Sequence, residues 1–156
     1  YEMIFKSYVK AKLNIPLIII GNHLTKFGDY LKDKFKNENI YFFGAIYDKK
    51  ILNNLRYYSK LYIHGHSVGG TNPSLIEAMS AGALVLAHRN KFNLSVLTNN
   101  ELAFSNSDEL KELLLDSKIV SEKKKHISEN LKIIKDKFSW QKIIDDYETF
   151  FLSILN

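Results

Sequence analysis

A chain of 156 residues, 46% hydrophobic and 25% charged, has the composition of one globular domain with a proper core. It contains no cysteine, which excludes disulfides and thiolate chemistry and suits a reducing cytoplasm. Its net charge of +5, from 22 Lys+Arg against 17 Asp+Glu, is compatible with phosphorylated ligands or an anionic membrane surface; the basic residues are too spread out for a nucleic-acid binder.

The chain opens at Tyr1 in helix-like sequence, without Met, as expected of a piece of a longer protein. No signal peptide is evident, and apolar runs such as IPLIII are too short to span a bilayer. Met3, Ile4, Tyr8 and Val9 predict a helix over 2–12. The β-branched run 15–20 ends at Gly21 and predicts a buried parallel strand. Phe27, Tyr30, Leu31 and Phe35 predict a helix over 25–37. A strand follows at 40–43, closed by Gly44. A helix over 48–58 has Asp48 as N-cap and Ile51, Leu52 and Leu55 on its apolar face. Residues 61–64 read as a strand, 65–71 as a glycine-rich loop, and Asn72 as the N-cap of a helix with Pro73 in its first turn, running to about 81. Gly82 is the expected left-handed C-cap before a buried strand at 83–87. Beyond the turn 88–93 come a helical turn at 94–97 and a strand at 102–104. Ser107 is read as the cap of a helix to 115, with Asp108 and Glu109 in its first turn and Leu110 at the third position, so that the cap is a simple one. Leu110, Leu113 and Leu114 form its apolar face. A basic helix over 121–137 turns Ile127, Leu131 and Ile134 inward and leaves the run 122–125 at the surface. A last helix, 138–155, carries Trp140, Ile143, Ile144, Tyr147, Phe150, Phe151 and Ile154, read as core and interdomain packing. Strands alternating with helices predict an α/β, Rossmann-like parallel sheet with helices on both faces, spanning 1–156 as a single domain.

The loop 65–71 is where chemistry is expected. Its three glycines let the backbone bend sharply and approach a ligand closely. The following helix N-terminus presents free N–H groups to an anion such as a phosphate. Glu77 lies one turn further in, and helical side chains lean toward the N-terminus, so its carboxylate can accept hydrogen bonds from sugar hydroxyls there. His64 and His66 form an H-x-H pair without a third ligand of suitable spacing, so a metal is not expected. Either ring lines a donor-sugar pocket or plays a structural part. Asn90, Lys91 and Asn93 occupy the loop expected over the donor. His88 reads equally as a cleft residue or a solvated one, His23 and His126 as surface, and Arg56 and Lys60 as a solvated helix face.

The run HGHSVGGTNPSLIEAMSAGALVLA resembles the donor-binding motif of family 4 retaining glycosyltransferases of the GT-B fold, closest to rhamnosyltransferase-like enzymes of bacterial surface polysaccharide and capsule synthesis. YFFGAIYDKKILNNLRYYSKLYIHG resembles the preceding strand–helix–strand, HRNKFNLSVL the loop after the motif, and FSWQKIIDDYETFF the closing helix. The resemblance implies the nucleotide-sugar-binding, C-terminal half of a two-domain enzyme. That enzyme would transfer a hexose or deoxyhexose, with retention, from a nucleoside diphosphate sugar to a glycan or lipid-linked acceptor held by the other half. By resemblance Glu77 binds the ribose hydroxyls, while Gly69, Gly70, Thr71, Asn72 and Ser74 offer donors to the diphosphate. His66 and Asn93 complete the donor site. No metal or other cofactor is implied. The location implied is cytoplasmic, with peripheral association at the inner face of the plasma membrane. Two departures stand out. The first of the family's two motif glutamates maps to Gly69, and a further acid maps to Ser95. The opening strand and the loop bearing the Arg and Lys that clamp the diphosphate have no counterpart before them, so this stretch alone is expected to be inactive. A nucleotide-sugar 2-epimerase half and a non-catalytic binding module are the rival readings.

Overall fold

The structure, a computed structural model, describes residues 1–97 and 100–155. Helices and strands alternate through most of it: α1 (Glu2–Ala11), β1 (Leu17–Ile20), α2 (Lys26–Lys34), β2 (Ile40–Phe43), α3 (Lys49–Tyr58), β3 (Tyr62–His64), α4 (Pro73–Ser80), β4 (Val85–His88), α5 (Lys91–Val96), a 3-10 turn and β5 (Ala103–Phe104), then α6 (Ser107–Leu115), α7 (Ser117–Ser121), α8 (Lys123–Phe138) and α9 (Trp140–Leu155). The strands form two parallel sheets. β1 pairs with β2, Leu17 opposite Ile40, and β3, β4 and β5 lie side by side with Tyr62 opposite Val85 and Ala87 opposite Ala103. This is the expected α/β class, and it follows from apolar strand runs alternating with helical periodicity.

Because successive strand residues point to opposite faces, the chain around β4 divides its side chains between two cores. Leu84 and Leu86 join Ile4, Phe5, Leu102, Phe104, Leu110 and Leu114 on one side. Val85 and Ala87 join Leu75, Ala78, Met79, Val96 and Ala103 on the other. The first cluster also gathers Leu17, Ile19, Ile40 and Phe42, so α1 packs over both sheets. Tyr8 ties α1 down, its hydroxyl lying 2.7 Å from Ile15 O and 3.0 Å from Asn39 O, just before β1 and β2.

Several expectations shift. α6 is capped by Asn106 rather than Ser107, because the Asn106 side chain accepts from the N–H groups of Asp108 and Glu109. Moving the cap by one residue puts Glu109 at the third position. There Oε2 accepts from Ser105 N and Oε1 from Asn106 Nδ2, so the cap is reciprocal after all. The basic helix is α8, preceded by the short α7; Ile127 and Ile134 are half-buried on it, but its most buried positions are His126 and Asn130, while Leu131 is exposed. His126 is therefore not a surface residue. In α3 the inward stripe runs through Leu52, Arg56 and Ser59, leaving Ile51 and Leu55 outside; Arg56 is buried rather than solvated. Finally, α9 buries none of its residues, so its aromatic face is no part of this chain's core.

Candidate functional site

Three elements meet at the loop 65–72: the end of β3, the start of α4, and α5. Pro73 occupies the first turn of α4, where a missing N–H costs nothing. Asn72 Oδ1 accepts from Ser74 N at 3.0 Å and from Ser74 Oγ at 2.8 Å, so both side chains are committed to capping the helix. Leu75 N is taken by Asn72 O at 3.1 Å. The preceding N–H groups, from Gly69 to Asn72, have no protein partner among the described residues. They are exposed donors at the positive end of a helix, which is the arrangement that favours an anion.

The glycines of this loop have different physical reasons. A Cβ on Gly65 would meet Ile4 Cδ1, the end of a flexible side chain, at 2.6 Å, so α1 approaches the loop closely there. Gly69 has φ +101°, a backbone conformation that L side chains rarely adopt. A Cβ on Gly70 would meet nothing within 4 Å, so no protein atom demands its bareness.

The carboxylate of Glu77 is half exposed on α4, and its Oε2 accepts from Arg56 Nη2 at 2.8 Å. Arg56 reaches it from α3, 7% exposed, with Nη1 donating to Asn53 Oδ1 at 3.2 Å. The sequence pattern did not single out Arg56; the signal was its i+4 spacing from Leu52, on the edge of the apolar stripe.

His66 is exposed and stacks on His64, ring centroids 4.7 Å apart. Tyr62, two residues earlier on the same face of the strand, continues the stack at 6.5 Å from His64. His64 is buried at 1% exposure, and its Nε2 has no partner among the described residues. Burial, reinforced by the neighbouring His66, pushes its imidazole down to about 4, so it is neutral at pH 7. Among the described residues no three His, Cys, Asp or Glu side chains gather as a metal site. The His66 carbonyl is pinned by two amides, Asn90 Nδ2 at 2.9 Å and Asn93 Nδ2 at 3.1 Å. Asn93 is buried and also donates to His88 O at 2.8 Å. Its amide thus fastens α5 to the ends of β3 and β4 and holds the loop's entry. Asn90, in turn, caps α5, its Oδ1 accepting from Phe92 N and Asn93 N. Ser95, where a family acid was expected, donates its hydroxyl to Phe92 O within α5.

A concavity of about 110 Å³ lies beside the loop, lined by Tyr1, Ile4, Ile63, His64, Gly65 and His66. It is smaller than the roughly 300–1,000 Å³ of a small-molecule site. The loop and helix N-terminus form one open wall.

The family model for glycosyl transferases group 1 matches residues 3–133. This chain belongs to that family. Over 99% of its length it is 30% identical to the uncharacterized glycosyltransferase MJ1069 of Methanocaldococcus jannaschii, covering 42% of that protein. It is 32% identical to protein CapJ of Staphylococcus aureus, over 90% of this chain and 40% of CapJ. The chain therefore spans about two fifths of the length of these relatives. Among solved structures, Anabaena Alr3699/HepE, crystallised with UDP-glucose, superposes with a TM-score of 0.78 at 18% identity, over 97% of this chain and 44% of that one. At that identity the likeness is one of fold, and it makes the fold of this glycosyltransferase domain GT-B-like.

Proposed function

We propose that this domain binds the nucleoside diphosphate sugar of a family 4, retaining glycosyltransferase, as the C-terminal half of a two-domain enzyme. The observation that carries the reading is the open wall itself: N–H groups from Gly69 to Asn72, without partners among the described residues, at the start of α4, with an oriented carboxylate, Glu77, one turn further in. The N–H groups take the diphosphate and stabilise the charge that builds on it as the sugar leaves. Glu77 accepts from the ribose hydroxyls. No metal is needed in this scheme, since the leaving charge falls on helix N–H donors.

A glycan or lipid-linked acceptor would approach from the opposite wall of the cleft, and a hexose or deoxyhexose would be transferred. The resemblance of the motif supports a role in bacterial surface polysaccharide synthesis, at the inner face of the plasma membrane. Among the described residues no helix is long and apolar enough to cross a membrane. His66, exposed at the loop's entry, is the side chain best placed to meet the donor sugar. Asn93 and Ser74 act indirectly, through the loop carbonyl and the helix cap that they hold. The glycine at position 69 has a backbone reason: at φ +101° a glutamate there would be strained.

Calorimetric titration with UDP, GDP and dTDP tests the reading. One nucleotide should bind, and Glu77→Gln should weaken it by about 1–3 kcal/mol. Binding of none, or binding indifferent to Glu77, would overturn it.

A further inference from the structure

We infer that Arg56 is a positioning residue that presents the Glu77 carboxylate to the nucleotide, giving the site its preference for ribose over deoxyribose. The inference rests on the donor-site reading above.

The pair is asymmetric. The cation is buried at 8% side-chain exposure, whereas the anion is 50% exposed. Glu77 is solvated without Arg56, so the arginine is not there to rescue a buried acid. Nor is Arg56 a favourable choice for packing: an apolar side chain of similar volume would fill the inward stripe of α3 without the cost of desolvating a guanidinium. That cost is visible in the structure, because Arg56 Nε is buried and has no hydrogen-bond partner among the described residues. What the arrangement achieves is orientation. Asn53 Oδ1 holds one end of the guanidinium at 3.2 Å, and Nη2 holds Glu77 Oε2 at 2.8 Å. A surface glutamate otherwise samples many rotamers, and a ligand contact must offset the loss of that freedom. Here the loss is met in advance by folding. Oε1 is left without a partner among the described residues, at the helix face next to the anion-favouring N-terminus. A fixed acceptor rewards a hydroxyl donor and is left unsatisfied when the hydroxyl is missing, which is the basis of discrimination.

The test is titration of the intact protein with UDP, GDP, ADP and dTDP and with the 2′-deoxy and 3′-deoxy counterpart of whichever ribonucleotide binds; dTDP as the tightest binder overturns the inference. The wild type should bind the ribonucleotide about tenfold or more tightly than at least one deoxy counterpart. Arg56→Gln should bring that ratio close to one, with affinity for the deoxy compound little changed, and Arg56→Lys should retain part of it. Arg56→Met, which fills the same space with an apolar chain, serves as the second variant should Arg56→Gln not fold. A residue that served packing alone would lower all affinities by one factor and keep the ratio; that result overturns the inference. So does a ratio that survives Glu77→Gln, which would put the ribose contact elsewhere. Failure of the wild type to bind any of the nucleotides overturns the donor-site reading, and the inference falls with it.

Discussion

Around β4, residues Ala83 to Ala87 are all 0% exposed, enclosed by α4 and α5 on one face and by α1 and α6 on the other. On β1 and β2 the outward residues Ile18, Tyr41 and Phe43 are about half exposed, and α9 leaves Tyr147, Phe150 and Phe151 near 60%. Both regions carry the same kinds of residue at the same periodicities. They differ in whether a second layer exists within the chain. A strand or helix face is buried only where a further layer packs on it. The wall proposed as the donor site sits on the region whose layers are complete. That gives the loop 65–72 a rigid base, as a preorganised site requires.

The contrast can be sharpened by mutation. Leu86→Ala, in the enclosed region, should cost about 2–5 kcal/mol by urea denaturation, from lost burial plus a cavity. A comparable loss of pH-dependent stability should come from His64. Its imidazole is depressed to about 4 in the fold from an ordinary 6.5. Above pH 6.5 it is neutral in both states and its effect is absent. Between pH 6.5 and 4 the unfolded chain takes up a proton that the folded one refuses, so stability falls as pH falls, by about 3 kcal/mol in all. His64→Phe, which keeps a ring in the stack, should flatten this part of the pH–stability curve. Gly65→Ala should cost up to about 1 kcal/mol, since the Ile4 side chain must shift to admit the methyl, whereas Gly70→Ala should change stability by less than about 0.5 kcal/mol. If Gly70 faces the diphosphate, its variant should instead weaken nucleotide binding in titration. Smallest of all, Phe150→Ala should shift the urea midpoint of this chain hardly at all, within about 0.5 kcal/mol. A large loss there would mean that α9 is packed, and the comparison would break.

Much of the fold was legible in the sequence because local signals and tertiary packing agreed. Asp48 and Asn72 cap the helices they were expected to cap, and Gly82 has the left-handed φ of +74°. The α/β order followed from period-two and helical patterns, and the family from a loop and helix whose spacing is specific. The orientation of each helix was less legible. An apolar stripe such as Ile51–Leu52–Leu55 fixes a face only to within a residue or so. Rotating α3 by that amount exposes Ile51 and buries Arg56. At the site, sequence alone marked Glu77 and the glycine loop, since their chemistry is written in residue type and spacing. It could not reveal that Arg56 on α3 holds Glu77, that Asn90 and Asn93 clamp the His66 carbonyl, or that Gly65 answers to Ile4. These contacts join residues far apart in the chain. Capping and periodicity are local and can be read from neighbours in sequence, whereas burial of a charge and closure of a loop depend on which elements the folded chain brings together.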